Sequence, residues 1–345
     1  MHAVVYRAKE DFRLEEVATP TLGAGELLVQ VEAVTVCGVD LRTFRHGDAK
    51  IAPPRILGHE FCGRVVESAA SDASVQIGDR VVMYIVMACG SCRYCRDGRA
   101  NLCLTRSTMS YQHDGAFAQY VRIPAAGRRQ LYKVPDHVPA THAALCEPLA
   151  CVLNAHSRMA IGFRDEVVVM GAGPIGVMHA VAARERGART VILCDVSAQR
   201  LALCERFGFD HYIPVREQAH LDEIKRLTDG YGPSVVIVAV GAAQAQADAL
   251  EMAAKGARVE FFGGLPKSKP TATLNTNHLH YKELLVSGSY SEKPSDFEAA
   301  QALVFSGRFP AAKLVTHELS LERMTDAFAL MEQGSALKVC ITPTV

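Results

Sequence analysis

Four cysteines within a short polar stretch constrain the fold of this chain more than any other feature of its sequence. They have the spacing C-x2-C-x2-C-x7-C, and they are Cys89, Cys92, Cys95 and Cys103. Four thiolates at this spacing can close around one Zn2+ ion in a tetrahedron. An iron–sulfur cluster is the main alternative, but its short motif usually has three residues before the fourth cysteine and a proline after it. Here seven residues intervene and Leu104 follows, so the spacing predicts a structural zinc lobe over residues 89–103.

The composition is that of a globular protein large enough for two domains. Of its 345 residues, 49% are hydrophobic and 21% are charged, and the 37 basic residues balance the 37 acidic ones. That balance offers no general attraction for nucleic acid or for an anionic membrane surface. No apolar run is long enough to span a bilayer, and residues 1–7 lack the regions of a secretory signal. Eleven cysteines, an odd number, favour a reducing cytoplasm over a disulfide framework.

Two secondary-structure patterns divide the chain near residue 150. Before it, short alternating apolar and polar segments such as 27–34 and 116–123 are separated by glycine and proline, which predicts an antiparallel, barrel-like body. After it, apolar strands alternate with helices, beginning with a strand over 166–170 and a helix over 174–186. This alternation predicts a parallel sheet with crossover helices, and hence an α/β chain. The C-terminal residues mix both patterns, and we expect them to pack on the first domain.

The second pattern opens with a glycine-rich loop typical of dinucleotide binding. Gly171, Gly173 and Gly176 form a GxGxxG motif between the strand and the helix. These glycines allow a tight turn, a close approach of the pyrophosphate to the backbone, and close packing of helix on strand. The phosphates would lie at the helix N-terminus, where free N–H groups favour anions. Asp195 ends the next strand, where it would bind the ribose hydroxyls; its alternative role is to cap the helix that begins near Ser197.

A second set of metal-binding residue types is dispersed along the chain. Cys37 lies in Cys-Gly-Val-Asp, His59 and Glu60 lie in Gly-His-Glu, and Glu147 lies in Glu-Pro-Leu near the boundary between the two patterns. Each of these residues alone is more often structural than a ligand. Together they supply sulfur, nitrogen and oxygen donors for an open Zn2+ site, in which one position stays free for a substrate.

In their order along the chain, these motifs resemble those of the zinc-dependent medium-chain dehydrogenases/reductases of the alcohol dehydrogenase superfamily, in the sorbitol (polyol) or threonine dehydrogenase branch. The resemblance covers essentially the whole chain, and alcohol dehydrogenase is itself a protein for which the open zinc site is described. It implies a GroES-like β-barrel catalytic domain over 1–150 and 288–345, and a Rossmann coenzyme domain over 151–287. It also implies a homo-oligomer, a dimer or tetramer, whose sheets often pair through the strand near residues 283–288.

The same resemblance implies a role for each site residue. A catalytic zinc ion would be bound by Cys37, His59 and Glu60, with Glu147 as a ligand or as a neighbour bridged by water. A second, structural zinc ion would occupy the four-cysteine lobe. NAD would be the coenzyme, and Lys338 would face its pyrophosphate. The other coenzyme contacts would come from Gly171, Gly173, Ile175, Gly176, Asp195, Arg200, Val240, Gly241, Phe262, Gly263 and Gly264.

The chain departs from this family at the positions that release the alcohol proton. Val39 and Arg42 replace the usual Ser/Thr and His of a proton relay, and neither can exchange a proton at working pH. The remaining candidates are a zinc-bound water held by Glu60 or Glu147, or the hydroxyl of Thr43.

It departs again at the positions that select the substrate. Thr43 stands where sorbitol dehydrogenases carry a tyrosine, and Ser291 with Glu292 stand where they carry arginine and tyrosine. These differences argue against sorbitol as the substrate. The polar residues that could contact a substrate are Arg42, Thr43, Arg45, Ser291 and Glu292.

The sequence therefore predicts an oxidoreductase that transfers hydride between a secondary alcohol and NAD(H), with Zn2+ polarising the substrate oxygen. The expected substrates are polyols, sugars or sugar acids. Two alternatives within the fold are a threonine-type amino alcohol dehydrogenase and a coenzyme-binding relative that has lost catalysis. A zinc ribbon that binds nucleic acid is the alternative from another class; it lacks interleaved aromatic residues. Its positive charge would come from Arg93, Arg96, Arg99 and Arg106.

Overall fold

A computed structural model describes residues 1–70 and 74–343 of the chain, which divides into two compact units. The first unit consists of Met1–Ala150 together with the described residues from Lys293 onward, and the second of Cys151–Glu292. Within the described ranges, no helix is long and apolar enough to cross a membrane.

The secondary-structure elements are numbered in chain order. The strands are β1 (His2–Ala8), β2 (Asp11–Glu16), β3 (Leu27–Thr35), β4 (Arg55–Ile56), β5 (Glu60–Ser68), β6 (Arg80–Met83), β7 (Val86–Met87), β8 (Ser107–Thr108), β9 (Tyr120–Ile123), β10 (Leu131–Lys133), β11 (Glu166–Met170), β12 (Thr190–Asp195), β13 (His211–Pro214), β14 (Val235–Val238), β15 (Arg258–Phe261), β16 (Leu285–Ser287), β17 (Val315–Leu319) and β18 (Lys338–Ile341). The α-helices are α1 (Gly38–His46), α2 (Arg93–Arg96), α3 (Ala140–Ala143), α4 (Cys146–Met159), α5 (Pro174–Glu185), α6 (Ala198–Cys204), α7 (Ala219–Leu227), α8 (Ala243–Met252), α9 (Asn277–Tyr281), α10 (Pro294–Phe305), α11 (Ala311–Leu314) and α12 (Met324–Gln333). Short 3-10 helices cover Ala100–Leu102, Ala125–Gln130, Glu205–Phe207 and Leu321–Arg323.

The first unit is built around a largely antiparallel sheet. Its strand order is β10-β6-β5-β3-β18-β17, and β9 also pairs with β3. A smaller sheet has the order β2-β1-β4, and β7 pairs with β8. The alternating sequence of β3 explains its place: Val29 and Val31 are buried, whereas Gln30 and Glu32 are partly exposed.

The last strand, β18, brings the C-terminal part of the chain into the centre of this sheet. It pairs antiparallel with β3, so that Cys340 lies opposite Thr35. On its other side β3 pairs with β5, and there Thr35 lies opposite Glu60. Lys338 precedes Cys340 by two residues and therefore points to the same face of β18. The register thus brings Thr35, Glu60 and Lys338 to the same part of the sheet.

The second unit contains a six-stranded parallel sheet with the order β13-β12-β11-β14-β15-β16. Its central strands β11 and β14 are almost wholly buried, which explains their uninterrupted valines and isoleucine. From β11 the chain proceeds to β12 and β13 on one side and then crosses to β14 on the other. This reversal leaves a crevice at the carboxyl ends of β11 and β14, where open parallel sheets bind ligands.

These elements confirm the expected α/β class, with differences at some boundaries. The strand predicted over 166–170 is observed at the same residues, and the helix predicted over 174–186 ends at Glu185. The strand predicted over 116–123 begins only at Tyr120, because β3 provides a continuous partner only for Tyr120–Ile123. Upstream of it, Ala118 makes an isolated bridge to Ala3 instead.

Candidate metal centres and coenzyme site

The four cysteines of the predicted lobe lie together in the first unit. Their sulfur atoms are all within 4.8 Å of one another, and those of Cys92 and Cys95 are 3.5 Å apart. None of the four cysteines, which also include Cys89 and Cys103, forms a disulfide. Hydrogen bonds from the backbone N–H groups of Ser91 and Cys92 lower the pKa of Cys89 to about 5. A closed set of four sulfurs, one of which already favours the thiolate, fits structural Zn2+.

A second donor set in the first unit consists of Cys37, His59 and Glu60. One ligand atom from each lies within 4.8 Å of the others. Cys37 is the N-cap of α1, two residues after the end of β3, and Gly58 turns the chain just before the other two residues. Gly58 has a φ of 90°, and a Cβ atom there would come within 2.9 Å of Phe117. Only glycine fits this turn, so the backbone requires Gly58 directly before the two donor residues His59 and Glu60.

Asp40 supports this donor set from within α1. Its Oδ2 accepts the Cys37 N–H at 2.9 Å, and its Oδ1 lies 3.7 Å from Nδ1 of His59. Asp40 is 1% exposed, so both contacts are shielded from water. At 3.7 Å the second contact is an electrostatic one rather than a hydrogen bond, and Nδ1 of His59 has no hydrogen-bond partner among the described residues. A buried carboxylate at this place favours an imidazole whose other nitrogen binds a metal ion. This role was not foreseen from the sequence, although Asp40 lies in the Cys-Gly-Val-Asp motif.

Burial and neighbouring charges set the protonation of the donor groups. Burial, and then the nearby Glu60 carboxylate, raises the pKa of the Cys37 thiol. Burial alone would lower the pKa of His59, but the carboxylates of Asp40, Glu147 and Glu60 outweigh it and raise that pKa. Glu147, in the first turn of α4 and 7% exposed, is therefore close enough to act on His59. Because a metal ion must displace the Cys37 proton, it binds more tightly as the pH rises.

Lys338 lies at this donor set, within the first unit. Its Nζ is 2.6 Å from Oε2 and 2.9 Å from Oε1 of Glu60, and the Thr35 hydroxyl also donates to Oε2. Burial alone would lower the pKa of Lys338, but the adjacent Glu60 carboxylate outweighs it and raises that pKa, so the ammonium stays charged. The resemblance placed Lys338 at the coenzyme pyrophosphate; this is corrected, because its ammonium is enclosed against Glu60. The available signal in the sequence was a lysine in the otherwise apolar β18.

The candidate substrate residues on α1 have different surroundings. Thr43 is buried, and its hydroxyl has no hydrogen-bond partner among the described residues. Arg45 forms ion pairs with Glu332 at 2.6 Å and with Glu10 at 3.3 Å, which hold its guanidinium at the surface of the unit. Arg42 is exposed. This helix therefore leaves Arg42, rather than Arg45, available to an acidic ligand.

Tyr111 is close enough to the donor set to respond to it electrostatically, and it was not foreseen from the sequence. Burial raises the pKa of its phenol, and the nearby Cys37 and Asp40 add to that effect. The turn that carries it has a positive φ of 69° at Ser110, which is 2% exposed. No spacing in the sequence marks Tyr111, because its approach to Cys37 depends on the path of this turn.

In the second unit, the glycine-rich loop follows β11 and begins α5. Gly171 has a φ of 110°, a region open mainly to glycine. A Cβ atom on Gly176 would lie 1.7 Å from the Gly171 carbonyl oxygen, so loop and helix can pack only with glycine there. Gly173 is the N-cap of α5, Pro174 is its first residue, and Ile175 follows in the first turn. Free N–H groups at this helix start fit a pyrophosphate.

Asp195 ends β12 with its carboxylate against this loop. Its Oδ2 accepts the Ala172 N–H at 2.7 Å, and its Oδ1 accepts the Ser197 N–H at 2.8 Å. Ser197 caps α6, because its hydroxyl accepts the Arg200 N–H at 3.3 Å. The capping role considered for Asp195 thus belongs to Ser197. The Arg200 guanidinium also borders the loop, 3.6 Å from a Cβ atom built on Gly173.

The other predicted coenzyme contacts meet at the carboxyl edge of the same sheet. They are Val240 and Gly241 after β14, and Phe262, Gly263 and Gly264 after β15. A Cβ atom on Gly241 would lie 2.5 Å from the Gly264 carbonyl oxygen, and one on Gly263 would lie 2.5 Å from the Val240 carbonyl carbon. The Val240 Cβ is 3.3 Å from one built on Gly171. The loop after β14 therefore approaches the glycine-rich loop closely, and the loop after β15 packs against the loop after β14.

Ser291 and Glu292, the remaining substrate candidates, lie at the end of the second unit. Glu292 is fully buried and accepts hydrogen bonds from the Ser291 hydroxyl at 2.8 Å and the Cys151 thiol at 3.2 Å. Asn154 donates to the Ser291 carbonyl at 2.7 Å. Ser291 and Glu292 are thus both hydrogen-bonded to residues of the second unit. That these two residues bind substrate stays a prediction.

Comparison with known proteins places the chain in a family. Residues 23–136 match the alcohol dehydrogenase GroES-like domain, and residues 174–306 match the zinc-binding dehydrogenase domain. A sorbitol dehydrogenase from Halalkalibacterium halodurans is 35% identical over 335 residues, which cover 96% of each chain. An L-threonine 3-dehydrogenase from Stenotrophomonas maltophilia is 34% identical, with 99% of each chain covered. A zinc-binding dehydrogenase from Sinorhizobium meliloti 1021, solved bound to NADP, has a TM-score of 0.91 at 31% identity, with 99% of each chain covered.

The chain belongs to the zinc-type medium-chain dehydrogenases of the alcohol dehydrogenase superfamily. It is therefore an oxidoreductase that acts on a small molecule. Membership confirms the GroES-like and Rossmann-type architecture that the motifs implied, and zinc and NAD as cofactors. Relatives named for sorbitol and for threonine are about equally similar, at 35% and 34% identity, so membership alone does not select the substrate.

Proposed function

We propose that this protein oxidises secondary alcohols of the polyol, sugar or sugar-acid type with NAD+, and reduces the corresponding ketones. The observation that carries the proposal is the donor set of Cys37, His59 and Glu60 within 4.8 Å, with Asp40 beside the imidazole. One sulfur, one nitrogen and one oxygen donor fit an open zinc site with a position left for substrate. The four-cysteine lobe, by contrast, supplies no open position and suits a structural ion.

Each part of the chain has a separate task in this reaction. The bound zinc ion supplies a Lewis acid for the substrate oxygen, and NAD supplies the hydride acceptor. Cys37, His59 and Glu60 would hold the metal ion, and the Asp40 carboxylate would support His59 from behind. The glycine-rich loop seats the pyrophosphate, and Asp195 binds the adenosine ribose.

Release of the alcohol proton needs a group other than the usual relay, because Val39 and Arg42 exchange no proton. The Thr43 hydroxyl supports such a role, since it is buried and has no hydrogen-bond partner among the described residues. A hydroxyl can accept a proton from the substrate side while donating its own onward. A water molecule held near Glu147 is the other candidate for the group that takes up the alcohol proton.

A second candidate substrate is an amino alcohol of the threonine type. It is favoured by the 34% identity to an L-threonine 3-dehydrogenase. The exposed Arg42 also suits a carboxylate group, because a guanidinium can bind both carboxylate oxygens at once. Sugar acids and threonine share that carboxylate.

A substrate screen that follows NADH formation separates these candidates. The panel contains neutral polyols, aldonates and L-threonine, and His59→Ala is the control that removes a metal donor. Turnover of polyols or aldonates, abolished in His59→Ala, is the expected result. Turnover of L-threonine alone would select the second candidate. If the zinc-loaded protein binds NADH but oxidises no compound of the panel, the proposal is wrong and a catalytically silent relative is the better description.

We further infer that the protein forms a homo-oligomer in a reducing compartment such as the cytoplasm. β16 lies at the edge of the parallel sheet, where Leu285 is 69% and Val286 is 36% exposed. An apolar edge strand is a template for pairing with another chain, which supports contact between two copies at this edge. All eleven cysteines are free thiols, as zinc binding by the lobe requires, and such thiols persist in a reducing environment.

A further inference from the structure

The contact between Lys338 and Glu60 is unusual for a protein interior. The ammonium is within 2.9 Å of both carboxylate oxygens, Lys338 is 2% exposed and Glu60 is fully buried. The neighbours of Lys338 on β18, Val339 to Ile341, are all apolar and fully buried. An ion pair in such surroundings loses the hydration of both charges, and an apolar pair of similar volume often gives equal or greater stability. Stability alone therefore does not account for Lys338.

The same contact bears on metal binding, because Glu60 is one of three candidate ligands. Its Oε1 accepts a hydrogen bond from Lys338, and its Oε2 accepts from Thr35 and lies 2.6 Å from the ammonium. Both oxygens thus already have charged or hydroxyl partners, so a metal ion bound to Glu60 would have to share the single negative charge of the carboxylate with the ammonium. A carboxylate oxygen of Glu60 lies within 4.8 Å of the ligand atoms of Cys37 and His59, so the carboxylate borders both the candidate metal site and the ammonium of Lys338.

We propose that Lys338 is a positioning residue that, with Thr35, draws Glu60 away from the catalytic metal and weakens it as a ligand. Cys37 and His59 then remain the permanent protein ligands. Weak donation from Glu60 leaves more positive charge on the ion, which strengthens its action on the substrate oxygen. This inference rests on the zinc site of the proposed function.

The test replaces the ammonium and measures the metal directly. Lys338→Met removes the charge at similar length, and Lys338→Arg is the control that keeps it. In Lys338→Met we expect Glu60 to bind the metal fully. Chelator competition should then show zinc affinity raised about tenfold. Removing an outer partner that supports a ligand lowers affinity by at least this factor, and the sign is reversed here because Lys338 opposes the ligand. The visible spectrum of the Co2+-substituted protein should change in Lys338→Met and stay close to that of the wild type in Lys338→Arg. Unchanged or weaker zinc binding with an unchanged spectrum in Lys338→Met overturns the proposal.

A second variant guards against loss of folding in Lys338→Met. Thr35→Val removes only the hydroxyl donor to Glu60 and keeps the ion pair, so it should tighten zinc binding about threefold, less than Lys338→Met. If Lys338→Met does not fold, an unchanged affinity and spectrum in Thr35→Val overturns the proposal. A separate variant tests whether the zinc site of the proposed function exists. If Cys37→Ser keeps two zinc ions per chain, Cys37 is not a zinc ligand and the proposed function itself is contradicted.

Discussion

Among individual residues, Asp195 is the one that we expect to set the preference between the two nicotinamide coenzymes. Its carboxylate is fixed by two backbone N–H groups at 2.7 and 2.8 Å, so it cannot easily turn away from a bound ribose. A 2′-phosphate would meet this negative charge. In Asp195→Ser we expect the ratio of kcat/KM for NAD to that for NADP to fall roughly thirtyfold, about 2 kcal/mol of lost charge repulsion.

Asp195→Asn is the matched control for this prediction, because it removes the charge and keeps the size and one hydrogen-bond acceptor. It should shift the preference in the same direction. Kinetics with both coenzymes at fixed substrate concentration provide the measurement. A wild-type protein that already has the higher kcat/KM with NADP would contradict the role given to Asp195.

Arg42 and Arg45 lie on the same helix but differ in what their guanidinium groups contact. Arg42 is exposed, whereas Arg45 is held by Glu332 and Glu10. We expect Arg42→Ala to raise KM about tenfold for an acidic substrate and to leave KM for a neutral polyol almost unchanged, because only the former loses a charged hydrogen bond. Arg45→Ala is the control and should change neither value. Equal effects of Arg42→Ala on both substrate classes would exclude a contact with the acid group.

The four-cysteine lobe is an element that has no apolar core to hold it together. Its helix α2 has only four residues, none of them buried, and a helix of that length is not stable alone. Metal binding must therefore supply much of its folding energy. We expect Cys95→Ser to reduce the zinc content from two ions per chain to one and to lower Tm by about 5 °C.

Elemental analysis and calorimetry check this prediction. Cys194→Ala, which changes a buried cysteine outside both donor sets, should retain two zinc ions. A chelator applied to the wild type should remove the ion of the open site first and abolish activity, while Tm changes little. Two zinc ions in Cys95→Ser, or iron in the wild type, would contradict the assignment of the lobe.

For the whole molecule, the exposed edge of the parallel sheet predicts association between copies. Leu285→Lys places a charge in the middle of the inferred contact, where it would lose its hydration, so we expect it to shift the protein from oligomer toward monomer. Ile77→Lys, at a residue of similar exposure in the first unit, is the matched control and should leave the oligomer intact; the exposed fractions are 64% for Ile77 and 69% for Leu285. Light scattering after size exclusion measures the mass. A monomeric wild type would contradict the inference.

Features that depend on spacing along the chain could be predicted from the sequence. The cysteine spacing singled out the four sulfurs that lie together, because a short loop can bring only near neighbours to one point. The GxGxxG motif located the turn at Gly171, because its φ of 110° suits glycine. Uninterrupted valines indicated a sheet buried on both faces, and the strand over 166–170 was placed correctly for that reason.

Contacts between distant segments could not be predicted in this way. Lys338 meets Glu60 across 278 residues and Arg45 meets Glu332 across 287, and no local period relates these positions. Their encounter depends on how elements pack and, for Lys338, on the register by which β18 joins β3 beside β5. A shift of one residue in the pairing of a strand would turn its side chains to the other face of the sheet. Which group Lys338 meets therefore depends on a register that the sequence does not specify. In the structure that register pairs Lys338 with the buried carboxylate of Glu60 rather than with a phosphate.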